Sequence, residues 1–496
     1  MGLSSGLFRG AALLTVTGLL SQCLGFFYRV SLSRAIGAET MGIFQLIPPL
    51  YGILLSATAV GLTCTVSTLS ARRLALGDRG GVKALVHRCL GLFLLLGGGV
   101  AVLLALFSDF VSTAVLGDAR TQLGLIFLGP CLLLTGVENI QKHFFYGTGR
   151  PRLPALLELG EQVVRTAAVL GLLWLSPPEN AEGAVGRILL GMVLCEIFSA
   201  AALSLCFSRE MAGVTTKETP GLDREVLSVA VPVGMSALLN DLLGSTNAIL
   251  IPRLLVAGGM AVETAMAEYG VLFGMTIPLL CLPNALIGAL GLVLMPDLAQ
   301  QMALGRRRQA KAKAEHVLTV TLRLLLPLLA WLMAVGPEVG TLLYREPAVG
   351  RFLLPMGVVI LMAGCQGVLG CVLNGTGEQK RAAAHRLIAG GVQLLFTVAL
   401  VGRWGLAGYV VGEVVSGLVG LCLHAGAVKK TLGVSLSIST TLLPPLLSAT
   451  LMGLCVHRLF HLLLERGVSV AAGAGVCGLF GAVLYLAAMQ AQGNKK

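Results

Sequence analysis

The stretch CLGLFLLLGGGVAVLLALF, residues 89–107, contains no charged side chain. As a single helix it nearly crosses the hydrocarbon core of a bilayer, which takes about 20 apolar residues. Similar stretches recur along the whole chain of 496 residues, which has 56% hydrophobic residues, 12% charged residues and a mean hydropathy of +0.87. A soluble domain carries about twice that charged fraction. The sequence therefore predicts an all-α integral membrane protein.

The apolar stretches predict about fourteen transmembrane helices. Their approximate bounds are 9–33, 43–69, 86–107, 122–145, 154–175, 187–207, 226–252, 268–296, 316–343, 352–374, 383–402, 406–428, 439–463 and 468–489. The first span follows a basic residue, as the apolar part of a signal peptide does. It is long for that role and many spans follow it, so we expect a permanent helix. The loops between the spans are too short to build a soluble core.

Basic residues are distributed unevenly between the predicted loops. The two termini and alternate loops hold 24 of the 36 lysine and arginine residues, and the opposite loops hold 10. Because cytoplasmic loops of membrane proteins are enriched in Lys and Arg, we expect both termini in the cytoplasm. The formal charge of +12 is therefore interpreted as a topology signal and not as a nucleic-acid-binding surface.

The 12 cysteines are scattered through the apolar stretches, without a CxxC pair and without clustering with histidine. This pattern argues against a disulfide framework or a zinc site. The sequence contains no GxxxxGK[ST] phosphate loop, so we expect no ATP hydrolysis by the chain itself. We predict no metal and no organic cofactor.

The two halves of the chain resemble each other weakly. Residues 24–34 of the first span align with residues 243–253 of the seventh at an offset of 219, and both stretches begin with Leu-Gly and end with Arg. The fourth and tenth spans each end in a Gly-Thr-Gly turn, at 147–149 and 375–377, an offset of 228. Both matches pair one span with the span six positions later. An even spacing of this kind gives two copies with the same orientation in the membrane.

This repeat predicts two pseudo-symmetric six-helix lobes followed by two additional helices. Spans one to six form a lobe of residues 1–210, spans seven to twelve form a lobe of residues 211–430, and the last two spans lie in 431–496. Membrane proteins built from such repeats usually bind their substrate between the lobes and work by alternating access.

Charged side chains inside the spans are candidates for function, because each is unfavourable in lipid unless it is paired or faces water. Glu158, Glu161 and Arg165 lie on one face of the fifth span, and Glu161 can pair with Arg165 one turn away. They form either a network that lines a cavity or a structural pair that compensates its own charge. The sequence leaves both interpretations open.

Other polar side chains within the spans are further candidates. Glu138, next to Asn139 in the fourth span, has Lys142 one turn away, which predicts an ion pair. Four more polar side chains have no basic residue nearby and must face a cavity or another helix: Glu196, Asn240, Asp241 and Glu413. Each of the acids could carry a coupling cation, Na⁺ or H⁺.

Arg29 and Arg34 lie near the outer end of the first span. They either extend their side chains to the outer membrane interface or bind an anionic headgroup. A guanidinium suits a diphosphate because its planar fork binds phosphate oxygens in pairs. Arg29 lies one turn deeper than Arg34 and is the preferred headgroup ligand.

The start of the chain carries the most specific motif. It has LGFFYR at 24–29, SR at 33–34, IGAE at 36–39, MG at 41–42 and QL at 45–46. These residues resemble the stage V sporulation protein B branch of the polysaccharide flippases, in the superfamily of multidrug, oligosaccharidyl-lipid and polysaccharide exporters. Matches to the same family follow along most of the chain: EQ–R at 161–165, LIPR at 250–253, PNAL at 283–286 with Pro296, and LNGTG at 373–377. The last motif adds Asn374 to the candidate cavity residues.

The resemblance implies a fold of two six-helix lobes plus two helices in a bacterial plasma membrane. It implies movement of a polyprenyl-diphosphate-linked saccharide from the inner to the outer leaflet, in contact with membrane lipids and with enzymes of cell-wall or polysaccharide assembly. The energy would come from an ion gradient, from the membrane potential or from consumption of the product outside, and the sequence does not choose among these.

The resemblance also implies a central cavity in which arginines hold the diphosphate, as in related lipid II flippases. The candidate headgroup ligands are Arg29, Arg34, Gln22, Arg165 and Arg253. Gln22 departs from the family pattern, in which Arg or Lys often precedes LGF. A glutamine can donate a hydrogen bond to phosphate but cannot neutralise its charge.

Two other functions stay open at this point. A cation-coupled drug exporter of the same superfamily would need an acidic cavity, for which Asp241 and Glu196 are available, and its transport would not depend on Arg29. A membrane-embedded transferase would need a polar catalytic cluster. Its best candidates, His457 and His461, share one helical face without an evident third ligand, so we expect no enzyme.

Overall fold

The computed structural model describes the backbone of residues 2–217, 220–434 and 441–493, and most of the side chains within them. Across these ranges the chain forms fourteen long helical runs and no β-strand. The predicted start of the thirteenth span, at 439–440, lies outside the described residues. So do the side chains of 285, 286 and 296, which belong to one of the family motifs.

The helices follow the predicted spans in order. They are α1 (Gly2–Gln45), α2 (Ile47–Ala75), α3 (Arg79–Leu106), α4 (Gln122–Gly147), α5 (Arg152–Leu175), α6 (Ala181–Glu210), α7 (Leu222–Ala257), α8 (a run that joins Val262–Tyr269, Gly270–Thr276 and Ile277–Ala303), α9 (Arg307–Tyr344), α10 (Val349–Gly375), α11 (Gln379–Trp404), α12 (Leu406–Leu432), α13 (Leu443–Glu465) and α14 (Val470–Gly493). The predicted all-α membrane fold is confirmed, with about the expected number of spans.

Twelve helices of the described chain are long and apolar enough to cross a membrane. The fifth predicted span is not among them, because every possible apolar core of α5 contains Glu158, Glu161 and Arg165. The first predicted span, in α1, begins among side chains that are not described. The chain is a multi-pass membrane protein.

The two Gly-Thr-Gly turns of the repeat end α4 and α10 in the same way. Gly149 and Gly377 take positive φ values of 72° and 88°, which glycine adopts without strain. Thr148 and Thr376 close the last helical turn with backbone hydrogen bonds of 2.9 and 3.0 Å to the residue four positions earlier. The local geometry thus repeats together with the sequence.

The helices pack as two compact units, of which the first contains the residues up to Val256 together with Met260–Gly270. Within it α4 packs against α3 and α6, α5 packs against α6, and α1 packs against α5. Phe93, Phe144 and Phe207 lie in its apolar core. This unit contains most of the charged residues that the sequence places inside spans.

The second unit contains Ala257–Gly259 and the residues from Val271 onward. In it α11 packs against α12, α10 packs against α9 and α12, and α13 packs against α9 and α14. Val335, Val456 and Phe460 belong to the apolar core that α9, α13 and α14 share. The two additional C-terminal helices are therefore packed on this unit.

One helix, α7, packs with the first unit although the repeat assigns it to the second lobe. Only 11% of its apolar window is buried, against 17–61% for the other candidate spans. A helix with so little burial is held by few contacts. The lobe boundaries at 210 and 430 stay a prediction.

Candidate functional site

Five charged side chains meet inside the first unit, and we call them the buried charge cluster. They are Glu138 and Lys142 of α4, Glu161 and Arg165 of α5, and Glu196 of α6. Their side chains are between 2% and 20% exposed. Charges buried to this degree are tolerated when they are paired with one another.

Each basic side chain of the cluster bridges two carboxylates on different helices. The Lys142 ammonium pairs with Glu138 on its own helix and lies 3.2 Å from the Glu161 carboxylate of α5. The Arg165 guanidinium pairs with Glu161 on its own helix and lies 3.6 Å from the Glu196 carboxylate of α6. The result is a continuous chain of ion pairs across three helices.

Small residues let the three helices approach closely enough for these contacts. A Cβ atom at Gly191 of α6 would lie 2.7 Å from the Val169 side chain of α5, one turn after Arg165. On the opposite side of α4, Gly136 accommodates the ring of Phe93. Glycines at helix contacts commonly allow such close packing in membranes.

The first sequence motif packs against the motif of α5. A Cβ atom at Gly25 would lie 3.9 Å from the side-chain oxygen of Gln162. Tyr28 is 8% exposed and lies within electrostatic range of Arg165 and Arg29. Its hydroxyl is buried and has no hydrogen-bond partner among the described residues. Two stretches that the family resemblance singled out are therefore neighbours in space.

The predicted headgroup ligands occupy three different settings. Gln22 and Arg34 are exposed on α1, and Arg29 is half-buried there. Arg165 belongs to the buried charge cluster. Arg253, near the end of α7, donates to the backbone carbonyl oxygens of Ala114 and, at 3.3 Å, of Thr113. Their role in binding a headgroup stays a prediction.

The other predicted cavity residues divide into those near the buried charge cluster and those elsewhere. Glu158 is half-buried within electrostatic range of Lys142, and Asn139 is half-buried one residue after Glu138. The remaining residues contact other parts of their units: Asp241 accepts a hydrogen bond from Ser56, Asn240 donates at 2.7 Å to the Ser236 carbonyl, Glu413 accepts at 2.6 Å from the Tyr409 hydroxyl, and the Asn374 carbonyl accepts at 3.1 Å from Gln379.

Polar contacts also attach α7 along its length. At its start Glu225 pairs with Arg73 at 2.6 Å and Asp223 pairs with Arg88 at 2.5 Å. Further along, Ser245 donates a hydrogen bond of 2.8 Å to the Pro49 carbonyl. Sequence reasoning did not single out these ion pairs, because their acids lie in a segment that looked like a polar loop.

The two histidines considered for a catalytic cluster pack against α9. The rings of His457 and His461 are 4.4 Å apart, and His461 lies 3.8 Å from Glu338. The His457 ring is 3.2 Å from the Ala334 carbonyl oxygen. Across the described part of the chain, no group of three or more His, Cys, Asp or Glu side chains is suited to hold a metal ion.

Sequence reasoning missed the role of Lys142. Its position near the end of the fourth span suggested a simple pair with Glu138, but in the structure it also reaches Glu161. The Glu161–Arg165 pair was visible from the spacing of four residues. The contacts of Lys142 with Glu161 and of Arg165 with Glu196 join different helices, so no local spacing reveals them.

Comparison with known proteins decides the family. The profile described as "Polysaccharide biosynthesis protein" matches residues 7–302, more than half of the chain. The chain belongs to this family. This family agrees with the resemblance that the N-terminal motif indicated.

Two named relatives are similar over most of the chain. Stage V sporulation protein B of Bacillus subtilis (strain 168) is 25% identical over 439 residues, which cover 87% of this chain and 85% of that protein. Lipid II flippase MurJ of the same organism is 22% identical over 486 residues, which cover 92% of this chain and 88% of that protein. The predicted resemblance to the stage V sporulation protein B branch is confirmed.

Solved structures confirm the fold. Lipid II flippase MurJ in an inward closed conformation matches with a TM-score of 0.72 and 12% identity, covering 96% of this chain and 98% of that one. An inward-facing multidrug resistance MATE family transporter of the MOP superfamily matches with a TM-score of 0.66 and 16% identity, covering 85% of this chain and 99% of that one. The named relatives and structural neighbours thus include flippases and transporters.

Proposed function

We propose that this chain is a flippase that moves a polyprenyl-diphosphate-linked saccharide across a bacterial plasma membrane by alternating access, with both termini in the cytoplasm. The observation that carries the proposal is its family membership over residues 7–302. A polysaccharide biosynthesis protein made of membrane helices has the architecture of a transporter for building blocks. A lipid-linked building block fits, because its tail can stay in the bilayer while the protein shields its polar headgroup.

Arg29 is the side chain we assign first to the headgroup. It is half-buried on α1 beside Tyr28, and its guanidinium can bind two phosphate oxygens at once. Gln22 and Arg34 on the same helix, and Arg253 on α7, are further candidates. Arg253 would first have to release the carbonyl oxygens that it contacts in this conformation.

The coupling of transport to a cation, Na⁺ or H⁺, is part of the proposal. Buried acids such as Glu196 supply binding groups for a small cation, because carboxylates inside a membrane protein often mark ion and proton pathways. We propose no organic cofactor and no enzymatic reaction. Enzymes that use the saccharide on either side of the membrane are the expected partners.

Lipid binding provides the test. The purified protein would be exposed to polyprenyl-diphosphate sugars and analysed by native mass spectrometry, alongside Arg29→Ala, Arg29→Lys and the control Arg458→Ala. Arg458 is an exposed arginine on α13. We expect selective retention of the lipid, lost by at least tenfold in Arg29→Ala and kept in Arg458→Ala. Retention that Arg29→Ala leaves unchanged would refute the headgroup role.

A cation-coupled multidrug exporter is the second candidate. The match to a multidrug resistance transporter favours it, as does an excess of acids over bases in the buried charge cluster. Binding of a cationic drug that depends on pH or Na⁺, without retention of any prenyl diphosphate, would support this function over the flippase.

A further inference from the structure

The buried charge cluster contains unequal numbers of acids and bases. Glu138, Glu161 and Glu196 supply three carboxylates, whereas Lys142 and Arg165 supply two positive charges. Both bases are already shared, since each contacts two of the carboxylates. With every group in its ordinary charge state, the cluster would carry one uncompensated negative charge in the interior of the first unit.

The uncompensated negative charge lies at the Glu196 end of the cluster. Its side chain is 5% exposed, and its nearest base, Arg165, is 3.6 Å away and is also paired with Glu161. The Oε2 atom of Glu196 is buried and accepts no hydrogen bond from the described residues. The hydroxyl of Ser199, one turn along α6, is also buried and lies within hydrogen-bonding reach of Glu138.

The Glu138 and Glu196 carboxyl groups lie within hydrogen-bonding reach of each other. Two ionised carboxylates repel each other and have no hydrogen to donate. When a proton is bound by one of them, the repulsion becomes a hydrogen bond. Paired carboxyl groups in proteins commonly share a proton for this reason.

We propose that the buried charge cluster binds one proton, held between the carboxyl groups of Glu138 and Glu196. The proton comes from water and forms an O–H bond on one carboxyl group, which donates to the other. Three acids and two bases plus one proton give a neutral cluster. This inference concerns the charge of the cluster and holds whether or not the chain flips a lipid.

Groups on the surrounding helices do not supply the missing positive charge. The neighbouring titratable groups are Tyr28 and Arg29 of α1, Tyr51 of α2, Cys131, His143 and Tyr146 of α4, Glu158 of α5 and Cys195 of α6. The His143 ring lies 2.8 Å from the Asn139 carbonyl oxygen and against the Tyr146 ring, and no ion pair found among the described side chains joins it to the cluster. Tyrosine and cysteine are neutral when protonated, and Glu158 adds a negative charge. Arg29 is only half-buried, and none of the ion pairs found among the described side chains joins it to the cluster.

Infrared difference spectroscopy tests the proton directly, because a protonated carboxyl group has a C=O stretch distinct from that of a carboxylate. The full-length protein would be measured in lipid nanodiscs at neutral pH as wild type and as Glu196→Gln, Glu138→Gln and Glu161→Gln. Each variant leaves two acids and two bases, so each is expected to lose one protonated carboxyl group per molecule. Because there are three variants, the test can still be made if one of them fails to fold.

Glu158→Gln is the matched control, since Glu158 lies one turn from Glu161 on the same helix and outside the chain of ion pairs. It should keep the band. A band that persists in all folded cluster variants would overturn the proposal. So would a titration in which Na⁺ removes the wild-type band or stabilises the wild type but not Glu196→Gln, because the site would then hold a metal cation in place of the proton.

Discussion

The buried charge cluster and the attachment of α7 use the same residue types in opposite surroundings. In the cluster, five side chains no more than 20% exposed share their charges across α4, α5 and α6. At the start of α7, the Arg88–Asp223 pair is 49% and 54% exposed. Removing one partner from a buried pair leaves the other charge without a partner and without solvent. At an exposed pair, water solvates the charge that remains. The cluster therefore fixes three helices, and the Arg88–Asp223 pair can open at little cost.

The rest of α7 has few polar contacts with α2. Its contacts with Ser56 and Pro49 of α2 are single hydrogen bonds. An apolar cavity of about 200 Å³ lies between α2, α3 and α7, so apolar packing there is incomplete. We infer that α7 is the helix of the first unit best suited to change its contacts during a transport cycle.

The largest effect is expected in the buried charge cluster. Arg165→Ala leaves three carboxylates against one base, and breaking a buried pair in this way costs about 3–5 kcal/mol. The double variant Glu161→Ala/Arg165→Ala removes one acid and one base, and should be less destabilised than Arg165→Ala alone. The free energy of unfolding in mixed micelles would be measured for both single variants and the double variant.

Losses that simply add in the double variant would argue against a coupled pair. Arg187→Ala is a suitable control, since Arg187 lies near the start of α6, where it donates an exposed hydrogen bond of 3.2 Å to Ser176. It should unfold like the wild type.

A smaller effect is expected at Arg73, because its partner Glu225 is 35% exposed and water can replace part of the interaction. Its side chain is 8% exposed and donates to the Gly81 carbonyl at 2.9 Å and to Glu225 at 2.6 Å. Hydrogen bonds to charged groups contribute about 1.5–3 kcal/mol, so Arg73→Ala should lower the free energy of unfolding by about that amount. It should also increase hydrogen exchange at the start of α7. Arg72→Ala changes the exposed neighbour and should do neither; equal effects in the two variants would contradict the assignment.

The sequence predicted what depends on local order. The length of the apolar stretches predicted the spans, and the spacing of four residues predicted the Glu161–Arg165 pair. The repeated Gly-Thr-Gly sequence appears as two turns of similar geometry, at Gly149 and Gly377. It did not predict which faces of different helices meet, because the rotation of each helix is set by packing. Glu196 was therefore expected to face either a cavity or another helix, and only the structure identifies Arg165 as its partner.

The packing of α7 could not be predicted from the sequence for a related reason. Residues 243–253 of α7 repeat residues 24–34, and this similarity assigns α7 to the second lobe. The helix nevertheless packs with the first unit in this structure. A repeat records which segments share a sequence pattern, whereas packing depends on the conformation that the chain adopts.

The smallest effect is expected at Arg88 and Asp223. Both side chains are about half exposed, so water and salt replace the interaction when either is removed. Arg88→Ala, Asp223→Ala and the double variant should unfold like the wild type, and their hydrogen exchange at the start of α7 should rise less than in Arg73→Ala. Raising the ionic strength should reduce even that difference, because exposed charges are screened. If Arg88→Ala instead destabilised the protein as much as Arg73→Ala, the difference in burial would not set the stability contributions of the Arg73–Glu225 and Arg88–Asp223 pairs. The start of α7 would then be a fixed part of the first unit, and the movement we infer for this helix would have to begin elsewhere.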